Sequence, residues 1–221
     1  SIGQVIQKLE ANEELDNTLI VFLSDNGASH EEGPLGHNFR PDLKGNIGSE
    51  NSYYSYGSSW ANASNTPYRK FKSYTYEGGF ATPMIVRWGD QIPNPNGLNA
   101  AVGHITDLMP TFIDVSGASY PSVVNEQAIH PLEGKSLSAV FKGEKTQVRT
   151  EKEVLIWEHQ GNKAVRMGKW KLVKTKGIPA WKLFDLEKDR SELNDLAEQF
   201  PEVTTNLAGQ YQDWAQKVGV K

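Results

Sequence analysis

The tripeptide Asp25-Asn26-Gly27 directly follows an unbroken aliphatic and β-branched run, Thr18 to Ser24. A carboxylate beside an amide carbonyl offers two hard oxygen donors, which suit Ca²⁺ or Mg²⁺ better than a soft metal. Two adjacent donors can face one ion where the chain turns. The same three residues also make a frequent turn, since Asx and Gly favour turns for backbone reasons. Spacing alone favours the turn over the ligand pair. A second candidate lies in Tyr68 to Gly79, where Arg69, Lys70 and Lys72 alternate with aromatics ahead of the Gly78-Gly79 pair. A lysine among aromatics can clamp a sulfate or phosphate ester, as a point charge with three donors. The glycine pair permits close backbone approach or positive φ. Against this stands a solvated basic strand, the commoner fate of any one of these cations.

Other chemistries fall away on composition and spacing. The chain has no cysteine, which excludes disulfides, thiolate zinc sites and a cysteine nucleophile within these residues. His30, His37, His104, His130 and His159 lie far apart with no i,i+4 pair, so no zinc motif is present. His30 and His37 stand in a long loop and are expected at the surface or behind a site. Ser24 lacks the glycine pattern of a nucleophile elbow. Gly161, Gly168 and Gly177 are too loosely spaced to cradle phosphate.

The elements that must position these residues follow from periodicity. Ile2, Val5, Ile6 and Leu9 recur at helical spacing, and residues 12–17 read as exit and turn. The run Thr18 to Ser24 then suits a strand buried on both faces of a parallel sheet. Asp25 and Asn26 fall at its C-terminal end, where open α/β sheets bind ligands. Residues 28–68 lack periodicity but carry Tyr53, Tyr54, Tyr56 and Trp60. They read as an ordered loop with one short helix, packed over a site. Pro83 to Trp88 is a second strand, and Ile105 to Val115 a helix ending at Gly117. A hydrophilic connection near 142–151 leads to an antiparallel meander: Val154 to Trp157, Lys163 to Met167, Lys169 to Lys174 and Trp181 to Asp185. A last helix from about Pro201 carries the stripe Val203, Leu207, Tyr211, Trp214 and Val218. The chain therefore divides into 1–150, of α/β type, and 151–221, of α+β type. Its net charge of −4 is spread without a basic face, which argues against a nucleic-acid partner. The longest apolar run, Leu19 to Leu23, is too short to span a bilayer.

Four blocks in this order resemble the sulfatase family of the alkaline-phosphatase-like superfamily. They are Val21 to Gly27; Phe71 to Gly79 with Thr82 to Val86; Ile105 to Thr111; and Ala164 to Leu172. The resemblance implies a Ca²⁺ held partly by Asp25 and Asn26, and a catalytic, substrate-binding role for Lys72 on the sulfate group. It implies a formylglycine nucleophile made from a Cys/Ser-x-Pro-x-Arg motif, which belongs to an N-terminal part and is absent here. Residues 1–150 would be the C-terminal part of the α/β catalytic domain, a mixed or parallel-sheet sandwich flanked by helices. Residues 151–221 would form a small subdomain with an antiparallel sheet and a packed helix. The chain starts on what reads as the body of a helix and nothing at Ser1 resembles a signal peptide, so a missing upstream segment is expected. The expected activity is hydrolysis of an aryl sulfate or sulfated carbohydrate by the whole enzyme, with this portion inactive alone. The expected partner is the N-terminal part, with self-association through an open sheet edge. The compartment implied by the family is periplasmic or extracellular. A related phosphodiesterase or phosphonate hydrolase, or a non-catalytic fragment that binds sulfated glycan, stands as the alternative.

Overall fold

The structure, a computed structural model, describes residues 1–94 and 96–220. In chain order the elements are α1 (Ile2–Ala11), β1 (Ile20–Leu23), α2 (Ser58–Ser64), α3 (Glu77–Phe80), β2 (Met84–Arg87) and α4 (Leu108–Ser116). A short pair β3 (Val123–Val124) and β4 (Gln127–Ala128) follows, then α5 (Ser138–Phe141). The chain closes with β5 (Val154–His159), β6 (Asn162–Met167), β7 (Trp170–Lys174), β8 (Lys182–Asp185) and α6 (Pro201–Val218). The fold is α/β with small sheets, as the periodicity predicts. Its two compact units do not follow chain order: one is residues 1–22 with 84–150, the other residues 23–83 with 151–221.

In the first unit β1 pairs with β2 in a two-stranded sheet. The expected burial of β1 on both faces is not observed, since Phe22 is 51% and Ile85 of β2 65% exposed. Burying both faces needs flanking strands and covering helices, and the described residues give β1 one partner strand. The organising group of this unit is Asp107, whose carboxylate is fully buried. It accepts from the backbone N–H of His104 (2.8 Å) and of Lys135 (2.8 Å), and is gripped by both Nη atoms of Arg149. Thr111 Oγ1 donates to the Asp107 carbonyl (2.6 Å) and accepts from Leu137 N–H (2.9 Å). Burial works to raise the Asp107 carboxyl, but Arg149 and the two amides together hold it below the usual range. A buried carboxylate is tolerated when its lone pairs are filled in this way.

In the second unit β5-β6-β7-β8 form a four-stranded antiparallel meander. Its register pairs Val165 with Leu172, Leu172 with Leu183, and Lys171 with Phe184. Because side chains alternate along a strand, the sheet has two distinct faces, and here both are covered. Val165, Leu172 and Leu183 pack under Leu207, Tyr211 and Ala215 of α6. Ala164, Val173 and Phe184 pack with Leu186 and Tyr76, against Tyr74, Phe80 and Trp157. The α6 stripe holds except at its end. Val218 is 45% exposed, and Val220 joins the core instead, because Gly219 turns the chain back at φ 76° with Val220 N–H on the Ala215 carbonyl.

Candidate functional site

The Asp25-Asn26-Gly27 turn is held by backbone contact that admits no side chain. Gly27 N–H donates to the Gly79 carbonyl (2.9 Å), and a Cβ on Gly27 would stand 1.8 Å from the Gly78 carbonyl oxygen. Gly79 is equally confined, its Cβ falling 1.8 Å from the Tyr74 oxygen. Asn65 laces the segments together. Its Nδ2 donates to the carbonyls of Lys70 (3.0 Å) and Gly78 (2.8 Å), while its Oδ1 accepts from Ala28 N–H (3.1 Å). The Ala28 carbonyl in turn accepts from Lys72 N–H (3.1 Å). The chain thus brings Lys72 to a point two residues beyond Asn26 by a direct backbone bond, though 46 positions separate Asn26 from Lys72 in sequence.

Within the turn, Ser24 Oγ donates to the Asn26 carbonyl (2.9 Å), and Asn26 Nδ2 donates to the Gly27 carbonyl (2.9 Å). That leaves Asn26 Oδ1 and the exposed Asp25 carboxylate with no protein partner among the described residues. Two adjacent, unspent oxygen donors fit a hard cation, and they fit as part of a donor set. Calcium takes about six to eight oxygens, and no group of three or more His, Cys, Asp or Glu is placed to hold a metal among the described residues.

The three cations of the second block have different fates. Arg69 lies over the Tyr76 ring (5.0 Å) and donates to the Glu192 carbonyl (3.1 Å), and Lys70 lies over the Tyr74 ring (4.8 Å). Lys72 alone of the three reaches a carboxylate, Glu31, at 3.2 Å, with both side chains about two-fifths exposed. It sits between two residues in the left-handed region, Lys70 at φ 67° and Ser73 at φ 76°. Such backbone outliers persist where the surroundings over-determine them, and they cluster at ligand clamps. Glu31 was not singled out from sequence. Nothing periodic marks it, and its partner is 41 residues away. Its carboxyl is lowered to about 2, chiefly by the Ser29 hydroxyl, then by backbone and by Lys72. His30 stacks on Phe71 (4.6 Å, 19°), and its Nδ1 is buried without a hydrogen-bond partner. His37 packs edge-on to Phe39 (5.2 Å).

The chemistry available is therefore oxygen donors for a hard cation beside one ammonium clamped by a carboxylate. That arrangement suits a tetrahedral anionic ester. The sulfatase family model matches residues 1–118, and the model described as "N-sulphoglucosamine sulphohydrolase, C-terminal" matches residues 68–217. An uncharacterized sulfatase of Schizosaccharomyces pombe is 30% identical over 100% of this chain and 42% of its own length. An N-acetylgalactosamine-6-O-sulfatase of Bacteroides thetaiotaomicron is 26% identical over 94% of this chain and 38% of its length. The crystal structure of Ps i-CgsB in complex with k-i-k-neocarrahexaose is similar at a TM-score of 0.71 and 27% identity, over 97% of this chain and 40% of that one. The chain thus spans about two-fifths of the length of these relatives. With its family-model match extending over more than half the sequence, this chain belongs to the sulfatase family.

Proposed function

We propose that this chain is the C-terminal part of an enzyme that hydrolyses sulfate esters, of aryl or carbohydrate alcohols, with Asp25 and Asn26 holding part of a Ca²⁺ site and Lys72 gripping the sulfate. The observation that carries the reading is the placement of Lys72. Arg69 and Lys70 lie over tyrosine rings, whereas Lys72 pairs with Glu31 on a strained segment bonded to the Asp25-Asn26 turn. A relative named for a 6-O-sulfate on N-acetylgalactosamine supports the carbohydrate branch.

Calcium, when bound, supplies positive charge against the sulfate oxygens, and the formylglycine nucleophile belongs to a motif outside these 221 residues. The residues present do the rest of the electrostatic work. Asp25 and Asn26 offer side-chain oxygen atoms with no other partner among the described residues. Lys72 Nζ donates to a sulfate oxygen, where charge-assisted contact in a preorganised site is worth more than in water. Glu31 stays a carboxylate at neutral pH, pairs with the Lys72 ammonium, and gives up its hold as the sulfate arrives. The test is steady-state hydrolysis by the intact protein of an aryl sulfate, a 6-O-sulfated hexosamine and a phosphonate monoester, with Lys72→Met beside wild type. The expected loss in kcat/KM is about 10²–10³-fold on the sulfate esters. Lys72→Met with wild-type turnover, or a wild type that prefers the phosphonate ester, overturns the proposal.

A further inference from the structure

Three charged side chains of the second unit are fully buried together. Lys171 Nζ lies 2.9 Å from Glu77 Oε1 and 2.8 Å from Glu192 Oε1, and all three residues are at most 1% exposed. The location follows from strand parity: Leu172 points to α6, so Lys171 shares the opposite face with Val173 and Phe184, where residues 74–80 pack. Lys171 Nζ also stands 4.3 Å from the centre of the Phe80 ring. Glu192 Oε2 accepts from the backbone N–H of Glu77 (2.6 Å), and Arg190 closes the network on Glu77 Oε2 (3.0 Å). Burial works to raise the Glu77 carboxyl, but Lys171 and Arg190 prevail and hold it low, while burial pushes the Glu192 carboxyl up.

We infer that Lys171, Glu77 and Glu192 form a positioning strut that fixes Lys72 and the Asp25-Asn26 turn; the inference rests on the functional reading of those residues given above. The connection is continuous. Glu77 begins α3, whose Gly79 carbonyl holds Gly27 N–H and whose Gly78 carbonyl holds Asn65, the residue that binds Ala28. Ala28 then holds Lys72. The segment is pinned on its other side, where Thr75 Oγ1 donates to the Lys163 carbonyl (3.0 Å) and Asn162 Nδ2 to the Ser73 carbonyl (2.9 Å). Because the glycine contacts leave no room for a Cβ, a shift of Glu77 has nowhere to be absorbed before it reaches Gly27. A buried ion cluster is a poor way to gain stability, since apolar residues of similar volume serve as well or better. What the charges supply is direction: Lys171 Nζ donates to Glu77 Oε1, Arg190 to Glu77 Oε2, and the Glu77 amide to Glu192 Oε2.

The strut is tested in the intact enzyme with the double variant Lys171→Met/Glu192→Gln, which leaves Glu77 paired with Arg190 and so avoids an orphaned buried carboxylate. Arg190→Gln serves as a milder second variant, and Leu207→Ala as a destabilised control on the opposite face of the sheet. Measured well below each melting temperature, the double variant is expected to lose about 10²-fold in kcat, the scale of a ~1 Å misplacement, and about 10–100-fold in Ca²⁺ affinity. The Gly27 and Lys72 amides should lose hydrogen-exchange protection, with Arg190→Gln shifting all three readouts the same way by less. Leu207→Ala should lower the melting temperature and leave kcat and Ca²⁺ affinity alone. A double variant, or an Arg190→Gln protein, with wild-type kcat, Ca²⁺ affinity and protection at these two amides overturns the strut. A wild type that hydrolyses no sulfate ester counts against the functional reading instead, and the amide protection still decides the strut.

Discussion

Replacing Gly27 by alanine adds one methyl group at the point where the Asp25-Asn26-Gly27 turn meets residues 78 and 79. The new Cβ would lie 1.8 Å from the Gly78 carbonyl oxygen and 2.9 Å from its carbon, so backbone must move. Neither side can give way cheaply. Gly78 is itself pressed against the Lys70 carbonyl, where its own Cβ would sit at 2.3 Å, and Asn65 Nδ2 is 3.1 Å from the added atom. Overpacking of this kind costs about 1–3 kcal/mol, and separating the chains also loses the Gly27 N–H to Gly79 bond, about 0.5–1.5 kcal/mol. The expected destabilisation is therefore about 2–4 kcal/mol, or a melting temperature lower by about 5–15 °C for a domain of this size. Gly209→Ala is the matched control, since it lies inside α6 with nothing within 4 Å of the added Cβ. There the helix gains about 0.5–1 kcal/mol from alanine. Urea and thermal unfolding of both variants, beside wild type, measure the contrast. Equal stability of Gly27→Ala and wild type refutes the close-contact reasoning, and with it the rigidity on which the site depends.

Arg149→Met should cost about 3–5 kcal/mol in urea unfolding, because it removes the guanidinium that grips the buried Asp107 carboxylate. Leu207→Ala, fully buried under the sheet, should cost about 2–5 kcal/mol, whereas Val218→Ser should stay within about 0.5 kcal/mol; similar losses at the two positions would contradict the packing described for α6. The Glu31 carboxyl is lowered from 4.5 to about 2, so its contribution is present above pH ~4.5 and fades as the pH falls toward ~2. Stability curves of wild type and Glu31→Gln should accordingly converge across that window, by a small amount since the pair is well solvated; a constant offset from pH 6 to pH 2 would argue against the assignment.

Much of this architecture is legible in the chain. The meander and the helix after Pro201 follow from alternation, helical spacing and turn residues, because these signals are local. Asp25, Asn26 and Lys72 stand out by residue type and by the blocks around them. What sequence does not convey is long-range pairing. Glu31 meets Lys72 across 41 residues and Lys171 meets Glu77 across 94, and no periodicity encodes either contact. The burial of Lys171 becomes visible only when strand parity is combined with knowledge of what covers that face. The exposure of Phe22 and Ile85 likewise depends on how many neighbours the sheet has, which an apolar run cannot state. The grouping of residues 23–83 with 151–221 is also a matter of long-range contact.

The central claim is that Asp25 and Asn26 hold a divalent cation. Its most direct measurement is an equilibrium Ca²⁺ titration of the intact, metal-stripped protein, with Asp25→Ala and Asn26→Ala alongside and folding checked by circular dichroism. The account predicts saturable binding by the wild type and affinity at least about tenfold weaker in each folded variant, as loss of one oxygen ligand implies. Unchanged affinity in both variants, or no Ca²⁺ binding by the wild type, would contradict it.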